Sequence, residues 1–211
     1  GGYTKSVCYA TSTNGIDLLK PALDVQAGTN VLLDKKRDSS TVWLDHEEKD
    51  PAKRFKLFNV ETGWKVNMYF SGDGIHWGAP VGQGGPSGDR TTVFYNPFRK
   101  LWVYSLRSGS KVGRARRYLE TTNALAVANW KASDPVEWVG ADRLDPPRAD
   151  LKTRCELYNL DATPYESIML GLFSIWRGQP QDRAKPNEIV LGYSRDGFNW
   201  YRPVRTAFIP V

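Results

Sequence analysis

Two histidines and two cysteines are all that this chain of 211 residues offers toward imidazole-assisted nucleophilic catalysis or a soft metal site. A Ser/His relay needs an imidazole placed to take the nucleophile's proton, and a metal centre needs several ligands at defined spacing. His46 stands alone, and His76 falls inside a turn motif where it reads as scaffold or surface, so neither chemistry is well supported. Cys8 and Cys155 have no C-x-x-C or Cys/His spacing around them. Each sits in an apolar, strand-like run and reads as a buried free thiol. No metal and no cofactor is expected. The 29 basic residues outnumber the 23 acidic ones, for a net charge of +6. Lys111, Arg114, Arg116 and Arg117 cluster, but no recognised nucleic-acid motif accompanies them and no nucleic-acid partner is expected.

The elements that must position any site announce themselves through a repeat. Ser71-Gly72-Asp73-Gly74-Ile75-His76-Trp77 and Ser194-Arg195-Asp196-Gly197-Phe198-Asn199-Trp200 are clean copies of one signature. Ser133-Asp134-Pro135-Val136-Glu137-Trp138 is a shortened copy, and Ser12-Thr13-Asn14-Gly15-Ile16-Asp17-Leu18 lacks the Trp. The acidic or amide positions 14, 73, 134 and 196 are about sixty residues apart, the mark of a structural unit used repeatedly. The Asp can accept from nearby backbone N–H groups, the Gly supplies a positive φ, and the Trp can fold back as an apolar lid between units. Asp73, Asp196, Trp77 and Trp200 are therefore read as scaffold.

Between the signatures lie β-branched and aromatic runs of strand length: 40–45, 54–60 and 64–70, then 91–95 and 100–106, then 156–160, 167–173 and 188–193. Helical periodicity is absent over any long window, although Arg114 to Trp130 could hold a helical turn. Three or four short antiparallel strands per unit is the make-up of a β-propeller blade. The fold class expected is all-β, with a partial blade at 1–37 and complete blades at about 38–88, 89–145 and 146–211 in a single domain. A closed ring of five such blades needs roughly 300 residues, so inner strands of the first blade, or a further blade, are expected to come from elsewhere: another chain, a second copy, or a longer polypeptide. The longest apolar run, Ile168 to Trp176, is strand-length, so no membrane span is expected. No export signal is visible, and the opening Gly1-Gly2 reads as that of a fragment or processed product.

Strand, Ser-x-Asp-Gly-x-x-Trp, strand, best seen at Tyr193 to Trp200, resembles the five-bladed propeller glycosidases, the kindred of the β-fructosidase (invertase-like) and arabinanase/β-xylosidase families. More narrowly, Gly88-Asp89-Arg90-Thr91-Thr92-Val93-Phe94-Tyr95-Asn96-Pro97-Phe98-Arg99 and Pro164-Tyr165-Glu166-Ser167 are similar to poorly characterised bacterial proteins of the glycoside hydrolase family 32/43 type. Sialidases carry a longer version of the turn, with one more residue before the Gly, which this chain lacks.

The resemblance implies a glycoside hydrolase-like protein that cleaves or binds a plant or microbial carbohydrate in a central funnel, secreted or periplasmic, working by carboxylates without a metal. Glycosidic cleavage needs one carboxyl protonated and one ionised, and a third group helps to push their pKa values apart. Asp89 resembles the aspartate that tunes pKa, with Arg90 beside it to pair with it or with substrate. Glu156 and Glu166 are rival matches for the general acid: Glu156 by its phase in the blade, Glu166 by its family-like surroundings. Asp45 is a funnel candidate or, equally, the cap of the turn Asp45-His46-Glu47-Glu48. The family's first-blade base has no match, since the residues that should hold it would precede Gly1. Trp43, Tyr95, Tyr158 and Trp176 are candidates for sugar-stacking platforms, or for packing between blades, and Tyr165 for a further substrate contact. Arg107, Arg114 and Arg148 could bind hydroxyls or a carboxylate, or form ordinary salt bridges. A non-catalytic propeller that binds carbohydrate or protein is the alternative, because fold alone does not confer chemistry.

Overall fold

The runs rich in Val, Tyr, Phe and Trp become strands. In the computed structural model, which describes residues 6–111, 113–125 and 130–210, these strands make up several antiparallel sheets. β1 (Val7–Cys8) and β2 (Val31–Leu33) pair as a short ribbon. β3 (Arg37–Leu44), β4 (Phe55–Glu61), β5 (Lys65–Ser71) and β6 (Gly82–Pro86) form a four-stranded meander. β7 (Thr92–Asn96), β8 (Leu101–Ser110), β9 (Gly113–Thr121) and β10 (Val136–Gly140) form a second. β11 (Glu156–Tyr165), β12 (Ile168–Trp176) and β13 (Asn187–Ser194) form the last, extended by isolated bridges from Tyr193 to Tyr201 and from Ile189 to Ile209. The antiparallel, all-β class expected from the sequence is the class observed.

Both faces of the middle sheet are covered. Val93, Trp102, Tyr104 and Leu106 pack against Phe58, Val60, Val66 and Met68 of the preceding sheet. Phe94, Val103 and Tyr118 pack on the other side against Met169, with Trp138, Phe198 and Trp200 at the margin. Alternation along β8 sends Val103 one way and its neighbours the other, and β7 is buried at every position. The aromatic rings meet edge-on or tilted, as Phe58 does with Tyr104 at 5.7 Å and Tyr95 with Trp102 at 5.1 Å. Each such fully buried side chain contributes about 1.5–3 kcal/mol of transfer free energy. The glycine-rich β6 fits the same logic, because a Cβ at Gly84 would meet the Trp130 ring at 2.6 Å.

The first strands of the three sheets, β3, β7 and β11, run side by side in one direction. Side-chain hydroxyls join them rather than a backbone ladder. Ser39 Oγ donates to Thr91 O at 3.0 Å, Val93 N donates to Thr41 Oγ1 at 3.2 Å, and Thr92 Oγ1 donates to Leu160 O at 2.7 Å.

Three of the four signature copies form one and the same turn. The Oδ1 atom of Asn14, Asp73 or Asp196 accepts from the N–H groups two and three residues on, at 2.7–2.9 Å. The preceding Ser Oγ accepts from the Gly N–H at 2.8–2.9 Å, and Gly15, Gly74 and Gly197 have φ of 74°, 78° and 75°. The shortened copy differs. Asp134 Oδ2 accepts from Lys131 N, upstream of it, and Trp138 is a residue of β10. With no Gly after the acid, the chain cannot take the left-handed step that closes the turn.

One further expectation needs correction, and another is met in part. Cys8 is exposed; Cys155 is buried, and neither forms a disulfide. From Gly113 to Thr121 the stretch is strand, β9, paired with β8 along its length and burying Ala115, Arg116 and Tyr118, and a 3₁₀ turn follows at Ala124 and Leu125. Residues 126–129 of the region read as a possible helical turn lie outside the described residues. No helix among the described residues is long and apolar enough to cross a membrane.

Candidate functional site

The strand starts of β3, β7 and β11 share one end of the molecule, and a continuous set of polar contacts joins them. The turn before β7 places Asp89 and Arg90. Gly88 takes φ 78° and Arg90 φ 55°, a left-handed conformation costly for a side-chain-bearing residue. Two bonds hold this turn. Arg107 Nε on β8 pairs with Asp89 Oδ1 at 2.8 Å, and Arg90 N donates to Asp38 Oδ2 on β3 at 2.7 Å. Asp38 and Asp89 border a cavity of about 310 Å³ that Arg37, Glu61 and Trp64 also line.

Arg116 anchors the centre of this end. Its guanidinium is 1% exposed and donates to Ser105 Oγ, Ser105 O, Arg90 O and Tyr158 O, tying β8, the Asp89 turn and β11 together. Burial pulls it down to about 10, with Asp89 and Asp161 pulling the other way, so it stays charged at neutral pH. Asp161 is moved in the opposite sense: desolvation by the protein around it raises its carboxyl above the ordinary value, with Arg116 partly offsetting the rise, although the residue stays exposed to solvent. Asn159 Nδ2 donates to Asp161 Oδ2 at 2.7 Å.

On β11, Glu156 forms an ion pair with Arg114 of β9. Gly113 makes the room: its φ is 91°, and a Cβ there would collide with the Glu156 carboxylate. Arg114 lies 4.8 Å from the Trp176 ring centroid and 5.6 Å from that of Tyr158. Arg90 sits 5.9 Å from the same Tyr158 centroid and Lys185 4.4 Å from it, and Lys185 Nζ also donates to Tyr158 Oη at 2.7 Å. Burial alone would raise the Tyr158 phenol. The bond and charge of Lys185, followed by Arg90, outweigh it and bring the phenol below its ordinary value.

Asp89, Arg90, Arg107, Arg114, Glu156, Tyr158 and Trp176 are thus brought together, and the remaining candidates are not. The eight residues of β3 put roughly 25 Å between its start and Asp45. There Asp45 Oδ1 caps the turn by accepting from Glu47 N, and Oδ2 pairs with Lys56 at 2.9 Å. The ten residues of β11 separate Glu156 from Glu166 by roughly 33 Å. Glu166, at φ 49°, forms the β11–β12 hairpin turn, next to Tyr165, which is 58% exposed. Tyr95 is buried at that far end and donates to Glu47 Oε2, and Trp43 stacks edge-on to Trp102. Arg148 pairs with Asp150 and Glu188 outside the cluster.

Sequence reasoning passed over Asp38, Arg116, Asp161 and Lys185. Asp38 was lost because the first strand was begun at Ser40, whereas β3 starts at Arg37; it is an acid at a strand start, level with Arg90, whose N–H it accepts. The basic cluster read at 111–117 is divided by strand alternation: Arg114 reaches Glu156, Arg116 is buried, and Arg117 pairs with Glu137. A larger cavity, about 790 Å³, lies elsewhere, with Trp138, Phe173 and Trp200 in its wall. Its charged rim is internally neutralised, because Arg202 and Arg205 pair with Asp142 and Asp145.

No family model matches this chain, and no curated protein matches it by sequence. Among solved structures it is similar to an N-acetylgalactosamine deacetylase from F. plautii, determined in complex with blood group B trisaccharide, with a TM-score of 0.60 and 13% sequence identity. The similarity covers 95% of this chain and 61% of that one, so the chain spans under two thirds of its structural neighbour. At this identity the likeness is one of fold.

Proposed function

We propose that this chain is part of a β-propeller that recognises a saccharide at the shared end of β3, β7 and β11. The sheets would be its blades, with β3, β7 and β11 innermost and three blades falling at about 38–88, 89–145 and 146–211. Side-by-side first strands bridged by hydroxyls support that reading. So does the likeness in fold to a deacetylase whose complex holds a trisaccharide.

The observation that carries the functional reading is the convergence at one end of acceptors (Asp38, Asp89, Glu156), fixed arginine donors (Arg107, Arg114) and aromatic rings (Tyr158, Trp176). A sugar offers hydroxyls that both donate and accept, together with an apolar ring face. Paired carboxylate and guanidinium groups beside an aromatic ring meet all three needs without a metal. The ion pairs hold each side chain in one rotamer, so little ordering is left to do on binding.

A second reading, glycoside hydrolysis, is favoured by Asp161. General-acid work needs a carboxyl raised above its ordinary value, and Asp161, exposed at the surface of β11, is moved that way while Asp89 and Glu156 are engaged by arginines. In this reading Asp161 supplies the proton, and Asp38, Asp89 or Glu156 serves as the base or nucleophile.

Calorimetric titration with an oligosaccharide panel, run beside a hydrolysis assay, tests both. Saccharide binding that weakens about tenfold or more in Asp89→Asn and Glu156→Gln is the expected result. If no oligosaccharide binds, the recognition reading falls. Product release that disappears in Asp161→Asn would replace it with the hydrolytic one.

A further inference from the structure

Three cations gather around the Tyr158 ring, and Lys185 among them stands apart from the ion pairs. Lys185, Arg114 and Arg90 all lie within 6 Å of one ring centroid. The ring attracts each of them through its negative face, but it carries no net charge. Glu156 answers Arg114. Among the described residues, no carboxylate lies within ion-pair distance of Lys185.

The loop between β12 and β13 (177–186) folds Lys185 back over β11, where one of its three donors goes to Tyr158 Oη. Arg114 stacks on Trp176, the last residue of β12, so β9 and this loop close on the same spot from two sheets. Each of these side chains is partly exposed, and the cluster adjoins the carboxylates of the proposed saccharide site. Positive charge held beside aromatic rings, open to solvent and, at Lys185, without a paired carboxylate among the described residues, suits an oxyanion.

We propose that Lys185 and Arg114 form a subsite for the anionic group of an acidic glycan, the carboxylate of a uronic acid or a sulfate ester. The proposal rests on the saccharide reading above and specifies the class of sugar. The oxyanion takes the free donors of Lys185 and the outer edge of the Arg114 guanidinium. Trp176 and Tyr158 keep both cations oriented, and the neighbouring acceptors are left for hydroxyls of the same or the next residue. The neighbouring Asp38, Asp89 and Glu156 accept from the hydroxyls of a glycan, a complement that a phosphodiester backbone, poor in hydroxyl donors, lacks.

The test is calorimetry on the intact chain at low and at high salt. The probes are an oligogalacturonate, its carboxyl-reduced neutral counterpart, a sulfated galactan oligosaccharide, inorganic sulfate, and a single-stranded oligonucleotide. An acidic oligosaccharide, carboxylated or sulfated, is expected to bind about tenfold or more tightly than the neutral one. The preference should shrink with added salt, vanish in Lys185→Gln and be retained in Lys185→Arg, with both variants melting like the parent. The carboxylated and sulfated arms identify which oxyanion fits.

Equal binding of acidic and neutral oligosaccharides overturns the subsite and leaves the saccharide reading standing. Binding of neither overturns both. Lys185-dependent binding of sulfate alone, or of the oligonucleotide in preference to any glycan, replaces the acidic glycan with a different ligand. An acidic preference that survives in Lys185→Gln overturns the placement.

Discussion

Arg107 Nε lies 2.8 Å from Asp89 Oδ1, and the Arg107 stem fills the space that a side chain at residue 88 would occupy, since a Cβ there would sit 2.9 Å from Arg107 Cβ. The ion pair and the glycine are therefore parts of one device. Gly88→Ala is strained twice, by its φ of 78° and by this contact, and should cost about 3 kcal/mol. Gly63→Ala is the control: its φ is 89°, but nothing lies within 4 Å of its Cβ position, so about 1–2 kcal/mol is expected. Denaturant melts of the two variants would reject the account if the costs are equal.

The two tryptophans of the clean signature copies occupy unequal sites. Trp200 packs 5.5 Å from Phe173, covers Gly171 and packs against two of the buried clusters. Trp77 joins no buried cluster among the described residues. Trp200→Ala should cost about 3 kcal/mol or more and Trp77→Ala about 1 kcal/mol. Equal losses in chemical denaturation would show that the turn, rather than packing, sets the energy.

Asp196 accepts from two backbone N–H groups and from Asn199 Nδ2. Burial alone would raise its carboxyl; these bonds outweigh it and bring the group down to about 2. A group lowered on folding stabilises above its unfolded value, near 3.8, and that contribution fades as pH falls through about 2. Asn14 makes the same turn with an amide oxygen. Asp196→Asn should therefore fold with little loss and show a flatter acid limb, whereas Asp196→Ala should lose about 1–2 kcal/mol. Melts between pH 2 and pH 7 (round values that bracket the titration) check this, and equal loss in the Asn and Ala variants would contradict it.

His76 clasps the amino-terminal segment to the first meander. Its Nδ1 lies 2.6 Å from Asp73 Oδ2 and its Nε2 3.1 Å from Asp24 Oδ1. Asp73, and after it Asp24, raise the imidazole above its ordinary 6.5; both aspartates are lowered, chiefly by their bonds to His76. The raised histidine contributes fully below pH 6.5 and loses its contribution as pH climbs through its folded value. The lowered aspartates contribute above about 3.8 and lose theirs as pH falls. The clasp thus holds from mild acid to near neutrality and opens at alkaline pH. An NMR titration should place the His76 midpoint lower in Asp24→Asn than in the parent, and an unmoved midpoint would count against the bridge.

Much of this was legible in the chain itself. Aromatic and β-branched runs marked β4, β5, β7, β8 and β12, and the Ser-x-Asp-Gly spacing marked the turns, because both signals are local. What escaped depends on contacts distant in sequence. β6 is written Gly82-Gln83-Gly84-Gly85-Pro86 and has no strand signal of its own; its glycines answer to Trp130 in the following sheet. β9 is basic enough to pass for a helix surface, yet Arg116 is buried because carbonyls of the Asp89 turn and of β11 await it. Glu156 and Glu166 were indistinguishable until the full length of β11 placed them at opposite ends, and Lys185 reaches Tyr158 only through the fold of its loop.

The hydroxyl contacts of Ser39, Thr41 and Thr92 carry a consequence for how such a protein changes over time. A ladder would lock neighbouring sheets in step, so that shifting one would require shifting all. Threonine and serine contacts leave the register between sheets to the packed cores and to Arg116. The acids and bases at the shared end of β3, β7 and β11 can then be replaced as pairs while the frame behind them keeps its shape.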